Sequence, residues 1–361
     1  MGGRILIVGV GNAGLKIADG LARSGKVDEL ILCDISPEGG PDIAGMLDSC
    51  YDCDVKFIEL DGLQQIKVEK LLRDEKPDVV VQSASLTSPW AMYGRTDKVA
   101  TALSQAGLGV QLPAQLPILS TVMKAIREVD FNGPVANLSF PDVTHTILGR
   151  FGLAPTIGLG NVSISHLRVR AAIRKNLKRE KGFPDTFPLI RLIAHHNQVY
   201  NVMKAEMPND PAERCRVYLG EEGRRADELA YQGYPIIPDI DFNIITAVAA
   251  LPAILALLPG AGPLRFSVPA PKALPGGYPV VLSDGQVELD LPENVDLQEA
   301  VDFHRRLTRH DGVEEVTPEG TVLFTDKAKQ AVKDIDPYLC EPLTLEKCLP
   351  RWLLLMSYMN F

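Results

Sequence analysis

Near its start the chain reads Arg4-Ile5-Leu6-Ile7-Val8-Gly9-Val10-Gly11-Asn12-Ala13-Gly14, and Leu30-Ile31-Leu32-Cys33-Asp34 follows after a segment from Leu15 to Ser24. Both apolar runs read as strands buried on two faces, the mark of a parallel sheet. The segment between them reads as a helix, so the order is strand, glycine turn, helix, strand, acid. Gly9 permits the tight turn out of the strand. Gly11 lets the backbone come close to a pyrophosphate, and Gly14 lets the helix pack against the strand. The helix N-terminus offers free N–H groups and a positive dipole end to phosphate. Asp34 lies 20 residues beyond Gly14, where a carboxylate accepts hydrogen bonds from both ribose hydroxyls and repels a 2′-phosphate. The segment therefore predicts a dinucleotide site of Gly9, Gly11, Asn12, Ala13, Gly14 and Asp34, with NAD preferred over NADP.

The remaining first half continues the alternation of strand and helix. Val55–Leu60, Asp78–Ser83 and Val135–Leu138 read as strands; Gln64–Asp74, Asp97–Gln105 and Leu116–Val129 read as helices. This is the pattern of a doubly wound α/β sheet. Ser83-Ala84-Ser85 ends a buried strand where a cofactor crosses the sheet, and small residues there let the backbone approach it. After about residue 155 the pattern changes. Ile164–Leu177 reads as a helix, Leu189–Ala194 and Gln198–Met203 as strands, and Asp241–Leu258 as a buried helix. Gly260–Gly277, dense in Pro and Gly, reads as loop. Asp284-Gly285 between Val280–Leu282 and Val287–Leu291 signals a hairpin. Asp296 with Glu299 caps a helix over Leu297–Arg309, closed by Gly312, and Glu319-Gly320 marks a further turn before Thr321–Phe324. The expected fold is an N-terminal doubly wound parallel (Rossmann) sheet over 1–155, followed by an α+β substrate-binding, catalytic domain with antiparallel hairpins over 156–361.

Composition narrows the function classes. The 361 residues suffice for two domains, and 46% hydrophobic content is enough for two cores. A net charge of −9 argues against nucleic acid or an anionic membrane as partner. The longest apolar stretch, Ile244–Leu258, is short for a membrane span and contains Pro252. The first strand starts within a few residues, which leaves no room for a signal peptide and predicts a cytoplasmic protein. Six cysteines are too sparse for a disulfide scaffold, and Cys50-x-x-Cys53 lacks a second pair. No metal site is expected.

The whole order resembles the lactate and malate dehydrogenase superfamily. The nucleotide turn carries the resemblance best. Asp42-Ile43-Ala44-Gly45-Met46-Leu47-Asp48 is similar to the segment after the second strand, and Gly94-Arg95-Thr96-Asp97 to the mobile lid that carries an arginine. Asn137-Leu138-Ser139-Phe140-Pro141-Asp142-Val143 is similar to the family's Asn-Pro-Val-Asp strand end. Gly158-Leu159-Gly160 with Arg168-Val169-Arg170 resembles the Gly-x-Gly…Asp-x-x-Arg segment, and Ile193-Ala194-His195-His196-Asn197 the segment of the catalytic histidine. The resemblance implies an NAD-dependent oxidoreductase acting on a small, anionic hydroxy acid or related carbonyl compound, built as a homo-oligomer through helices of both domains. His196 is then the base, with adjacent His195 its rival, since consecutive strand residues face opposite ways. Arg168 grips a substrate carboxylate, and Arg95 closes over the carbonyl.

Departures from the family pattern are definite. Ser165 stands where the family has the aspartate that pairs with the histidine, and Phe140 precedes Pro141 in place of an asparagine. Without that carboxylate the histidine pKa should sit lower than in the family dyad, unless Asp142 or Asp241 substitutes. Trp90 and Tyr93 could form an apolar substrate wall, and Asn197 could bond substrate. Arg168, Arg170, Arg174, Lys175, Lys178 and Arg179 form a basic run that equally suits a solvated helix face. Two rival functions use the same frame: a non-catalytic nucleotide sensor or partner protein, and an NAD-dependent glycosidase-like hydrolase, which needs a metal held by Cys and His, with Cys215 and His195 or His196 as the available ligands.

Overall fold

The structure is a computed structural model that describes residues 2–92, 94–180, 187–236 and 242–359, without the side chains of 178–180. Tyr93, Asp241 and the side chains of Lys178 and Arg179, singled out above, lie outside the described residues.

Strands β1 (Gly3–Val8), β2 (Val27–Asp34), β3 (Asp54–Glu59), β4 (Val79–Gln82), β5 (Val135–Asn137) and β6 (Ile157–Gly158) form one sheet in the order β3-β2-β1-β4-β5-β6. Every neighbouring pair is parallel. The order reverses between β1 and β4, and the crevice beyond the strand ends at that point is where doubly wound sheets bind ligands. The connecting helices are α1 (Asn12–Ala22), α2 (Gly40–Cys50), α3 (Gln65–Glu75), α4 (Lys98–Ala106), α5 (Leu112–Glu128) and α6 (Pro141–Gly149). The period of two divides each strand between two cores. Leu6, Val8, Ile31, Cys33 and Val80 pack with α3 to α6. Ile5, Ile7, Leu30, Leu32 and Val81 pack on the opposite face with α1 and α2.

The second half adds α7 (Val162–Glu180), β7 (Ile190–Ile193), α8 (Val199–Lys204), β8 (Arg216–Leu219), β9 (Arg224–Arg225) and α9 (Phe242–Ala256). It continues with β10 (Leu264–Pro269), β11 (Gly277–Ser283), β12 (Gln286–Leu289), α10 (Leu297–Thr308), β13 (Val313–Val316), β14 (Val322–Phe324), α11 (Asp326–Val332) and α12 (Leu345–Met359). Its strands make three small antiparallel sheets. The fold class is as expected: a doubly wound parallel sheet followed by α+β structure. Among the described residues no helix is long and apolar enough to cross a membrane.

Three local expectations are corrected. Gly260–Gly277 is not all loop, because β10 lies inside it and pairs with β11. Its Pro and Gly residues cluster at the two ends and mask the strand between them. Gln198–Met203 is not a strand. His195 accepts from the Asn197 backbone N–H while Gln198 accepts from the His195 N–H at 2.8 Å, and this reciprocal cap starts a 3-10 turn, His196–Gln198, that runs on into α8 despite its Val and Tyr content. α9 is not wholly buried, since Ile244 and Val248 are each 52% exposed.

Buried histidines give the fold a pH limit. His145 donates from Nδ1 to the Ala270 carbonyl at 3.0 Å and accepts from Asn137 at 3.1 Å, and burial pushes its pKa down to about 4. Burial pushes His166 down to about 3. A depressed histidine pKa means that the unfolded chain takes up the proton first, so this stability is complete above pH 6.5 and lost as pH falls toward 4. Each residue should cost about 2–3 kcal/mol between pH 6.5 and 4.5. We expect Tm to fall by about 5–10 °C over that interval; a flat melting profile would contradict the neutral, buried assignment.

Candidate active site

A cleft of about 1370 Å³ opens at the β1/β4 switch point. Gly9, Gly11, Asn12, Ala13, Gly14, Asp34, Ser83, Ala84 and Ser85 all line it, so the residues read from the sequence converge on one surface. The turn is built by close approach. Gly9 has φ of 92°, and a Cβ there would stand 2.5 Å from the Ala84 nitrogen. A Cβ on Gly14 would stand 2.0 Å from the Gly9 carbonyl oxygen. Ser83 donates its hydroxyl to that same carbonyl. Gly11 differs: a Cβ there meets nothing within 4 Å, and it precedes α1 with no side-chain cap. The first N–H groups of α1 therefore remain for an anion in the cleft. Asp34 accepts from the Val10 N–H at 2.8 Å and the Ser36 N–H at 3.3 Å. Its carboxylate keeps lone pairs for hydroxyl donors. These residues fit a dinucleotide.

His196 lines the same cleft with its side chain 24% exposed. Its Nδ1 lies 3.2 Å from Asp311 Oδ2, and Nε2 has no hydrogen-bond partner among the described residues. The backbone N–H of His196 donates to Asp142 at 3.0 Å, and Asn161 donates to the other Asp142 oxygen. Asp142 thus fixes the backbone and Asp311 the ring. Burial pulls the His196 pKa down, but the charge and hydrogen bond of Asp311 outweigh it and hold it above 6.5. The carboxylate absent at position 165 is supplied by Asp311, from the turn after α10, and not by Asp142, which bonds the His196 backbone. Ser165 is buried and its hydroxyl has no partner among the described residues. Phe140 sets its ring against His196 at 5.1 Å between centroids. It holds φ of 42°, a left-handed conformation that costs a non-glycine residue about 1–2 kcal/mol.

His195 is fully buried, with Nε2 3.1 Å from Thr308 Oγ1. The two histidines do not face opposite ways: β7 ends at Ile193, the chain turns, and both rings approach Asp311. Arg168 is not in the cleft. Its guanidinium donates instead to the carbonyls of Val202 and Tyr234, so it does not stand where the expected carboxylate grip needs it. Arg95 does line the cleft; it pairs with Asp97 at 2.8 Å and donates to the Met359 carbonyl at the end of α12. Trp90 donates to Asn243, which donates to Asn12, tying the lid to the nucleotide turn. Asn197 lines the cleft and donates to the Leu307 carbonyl. Cys215 is buried and does not line the cleft.

Asp311, Asn243 and Trp352 were not found from the sequence. Trp352 lines the cleft and donates to Thr87. Asp311 carried one signal: an acid beside Gly312 at the C-terminal end of a helix stands against the dipole there, which calls for another reason to keep it.

No protein-family model matches the chain, and no curated protein matches it. Solved structures do. A malate dehydrogenase from Archaeoglobus fulgidus in complex with NADH superposes with a TM-score of 0.51 at 15% identity, over 86% of this chain and 99% of that one. The chain has the fold of lactate and malate dehydrogenases. A lactate dehydrogenase from a Medee basin deep-sea metagenome library gives 0.50 at 15% identity, over 86% of this chain and 99% of that one. A lactate dehydrogenase from Cryptosporidium parvum, complexed with lactic acid and nicotinamide adenine dinucleotide, gives 0.50 at 15% identity, over 86% and 97%.

Proposed function

We propose that the chain is an NAD-dependent oxidoreductase that transfers a hydride between nicotinamide and a small hydroxy acid or related carbonyl compound. The observation that carries this reading is the His196–Asp311 pair opening into the same cleft as the glycine turn. Residues 1–155 then hold the nucleotide, and residues 156–361 bring the acid–base group. When bound, nicotinamide supplies the hydride acceptor or donor. Asp311 accepts from His196 Nδ1, which leaves Nε2 to take the substrate hydroxyl proton on oxidation and return it on reduction. Asp311 also stabilises the imidazolium formed by that transfer. Arg95 is the one guanidinium among the described lining residues. On this reading it meets the substrate's anionic group by exchanging its Met359 carbonyl contact for the ligand. Asp34 favours NADH over NADPH by charge.

Calorimetric titration of the purified protein with each nucleotide tests the reading. We expect micromolar NADH binding and NADPH binding at least tenfold weaker. Absence of binding by either nucleotide would overturn the proposal and favour a partner protein on a dehydrogenase scaffold.

A further inference from the structure

The hydrogen bonds around His195 settle its tautomer. Thr308 donates its single hydroxyl proton to the His304 carbonyl at 2.9 Å. It can therefore only accept from His195 Nε2, so Nε2 carries the ring proton. The Asn197 backbone N–H, which can only donate, points at His195 Nδ1 at 3.4 Å. Both contacts leave a lone pair on Nδ1. Burial keeps the ring neutral. The Asn197 contact is the only hydrogen bond of Nδ1 among the described residues and is long, and Nδ1 lies 3.7 Å from Asp311 Oδ2. The Asp311 side chain is 5% exposed, and its ion-pair partners among the described residues are the two histidine rings alone. A weakly bonded nitrogen acceptor and a buried carboxylate oxygen thus stand side by side, an arrangement that a cation bound to both would satisfy.

We infer that His195 Nδ1, His196 Nδ1 and the Asp311 carboxylate form a binding site for one first-row divalent transition-metal ion. The three ligand atoms lie within 4.8 Å of one another. Atoms held about 2.1 Å from one tetrahedral ion stand about 3.4 Å apart, and the two nitrogens lie 3.2 and 3.7 Å from Oδ2. Imidazole nitrogens with one carboxylate select zinc, cobalt or nickel over magnesium and calcium. Thr308 holds the His195 ring by its other nitrogen, the usual support for a ligating histidine. Of the three residues, His196 is the one that lines the cleft, with its side chain 24% exposed. Occupancy moves the single His196 proton from Nδ1 to Nε2, so the ring has no lone pair left for substrate. Bound metal therefore switches off turnover; this consequence rests on His196 being the base, whereas the binding does not.

The test is titration of metal-free protein with Co2+ and Zn2+, read by calorimetry and by the visible absorption of bound cobalt. One ion per chain is expected, with the strong visible bands of a low-symmetry site. His195→Gln and Asp311→Asn should each weaken binding at least tenfold. His310→Gln should leave it unchanged, since that exposed ring pairs with Glu213 elsewhere. No binding, or equal affinity in His195→Gln and the parent protein, overturns the site. If His195→Gln fails to fold, Asp311→Asn decides. Binding without loss of turnover supports the site and removes His196 from the proton transfer instead.

Discussion

Asp311→Asn should lower turnover by about 100-fold or more, the scale of a well-placed general base, while nucleotide affinity stays near that of the parent. The substitution keeps the volume of the side chain and removes its charge. Two effects follow at His196. The ring loses the partner that selects the Nδ1–H tautomer, so part of the population presents a protonated Nε2 to substrate. Its pKa also falls, because the coulombic support of Asp311 is what holds it above 6.5 against burial. The pH profile separates this role from a structural one. For alcohol oxidation the base must be neutral, so the parent rate should rise with pH through a pKa above 6.5. In the variant that limb should move to lower pH while the plateau drops. A lowered plateau with an unmoved limb would mean that Asp311 only shapes the site, and an unchanged rate would exclude the pair from the chemistry. His196→Ala should abolish the limb altogether.

The parts of this molecule that were legible in the sequence are those whose causes are local. The turn from Val8 to Gly14 is specified by glycines that each meet a backbone or side-chain neighbour, or open space, within one strand–helix unit. Asp97 and Asp296 cap α4 and α10 through bonds three residues along, to Ala100 and Glu299. Asp284-Gly285 turns β11 into β12. What was not legible depends on contacts between distant segments. Asp311 and His196 are 115 residues apart, and no spacing rule joins them. The C-terminal helix α12 contains Pro350 and buries Arg351, both poor signs of a core helix. It forms because Cys348, Leu355 and Met359 join the core made by α5 and the sheet, while Arg351 donates to the carbonyls of Glu341 and Pro342. Its Trp352 then reaches the cleft, and its Met359 carbonyl accepts from Arg95. Arg168 shows the converse error. Its helix was legible, but the partners of its guanidinium were not, because they are the carbonyls of Val202 in α8 and of Tyr234, both distant in sequence.

Gly11→Val should reduce NADH affinity by at least two powers of ten, about 2.7 kcal/mol, with little change in Tm. The contrast among the three glycines makes this decisive. At Gly14 an added methyl would collide with the Gly9 carbonyl and the Ser83 hydroxyl, so Gly14→Ala should destabilise the fold itself. Gly9 has a left-handed backbone and presses on Ala84, so it fails in the same way. Gly11 has φ of −61° and open space where a side chain would go. Among the described residues no group explains why that position lacks a Cβ. A phosphate approaching the uncapped α1 N-terminus does, since it must come within hydrogen-bond distance of N–H groups that a valine would cover. Calorimetry and thermal melting on the same preparation separate the cases. Retained affinity in Gly11→Val would place the nucleotide elsewhere and remove the main support for the proposed function. Lost affinity together with an unchanged Tm would tie the sequence Gly9-Val10-Gly11 to the cofactor rather than to folding.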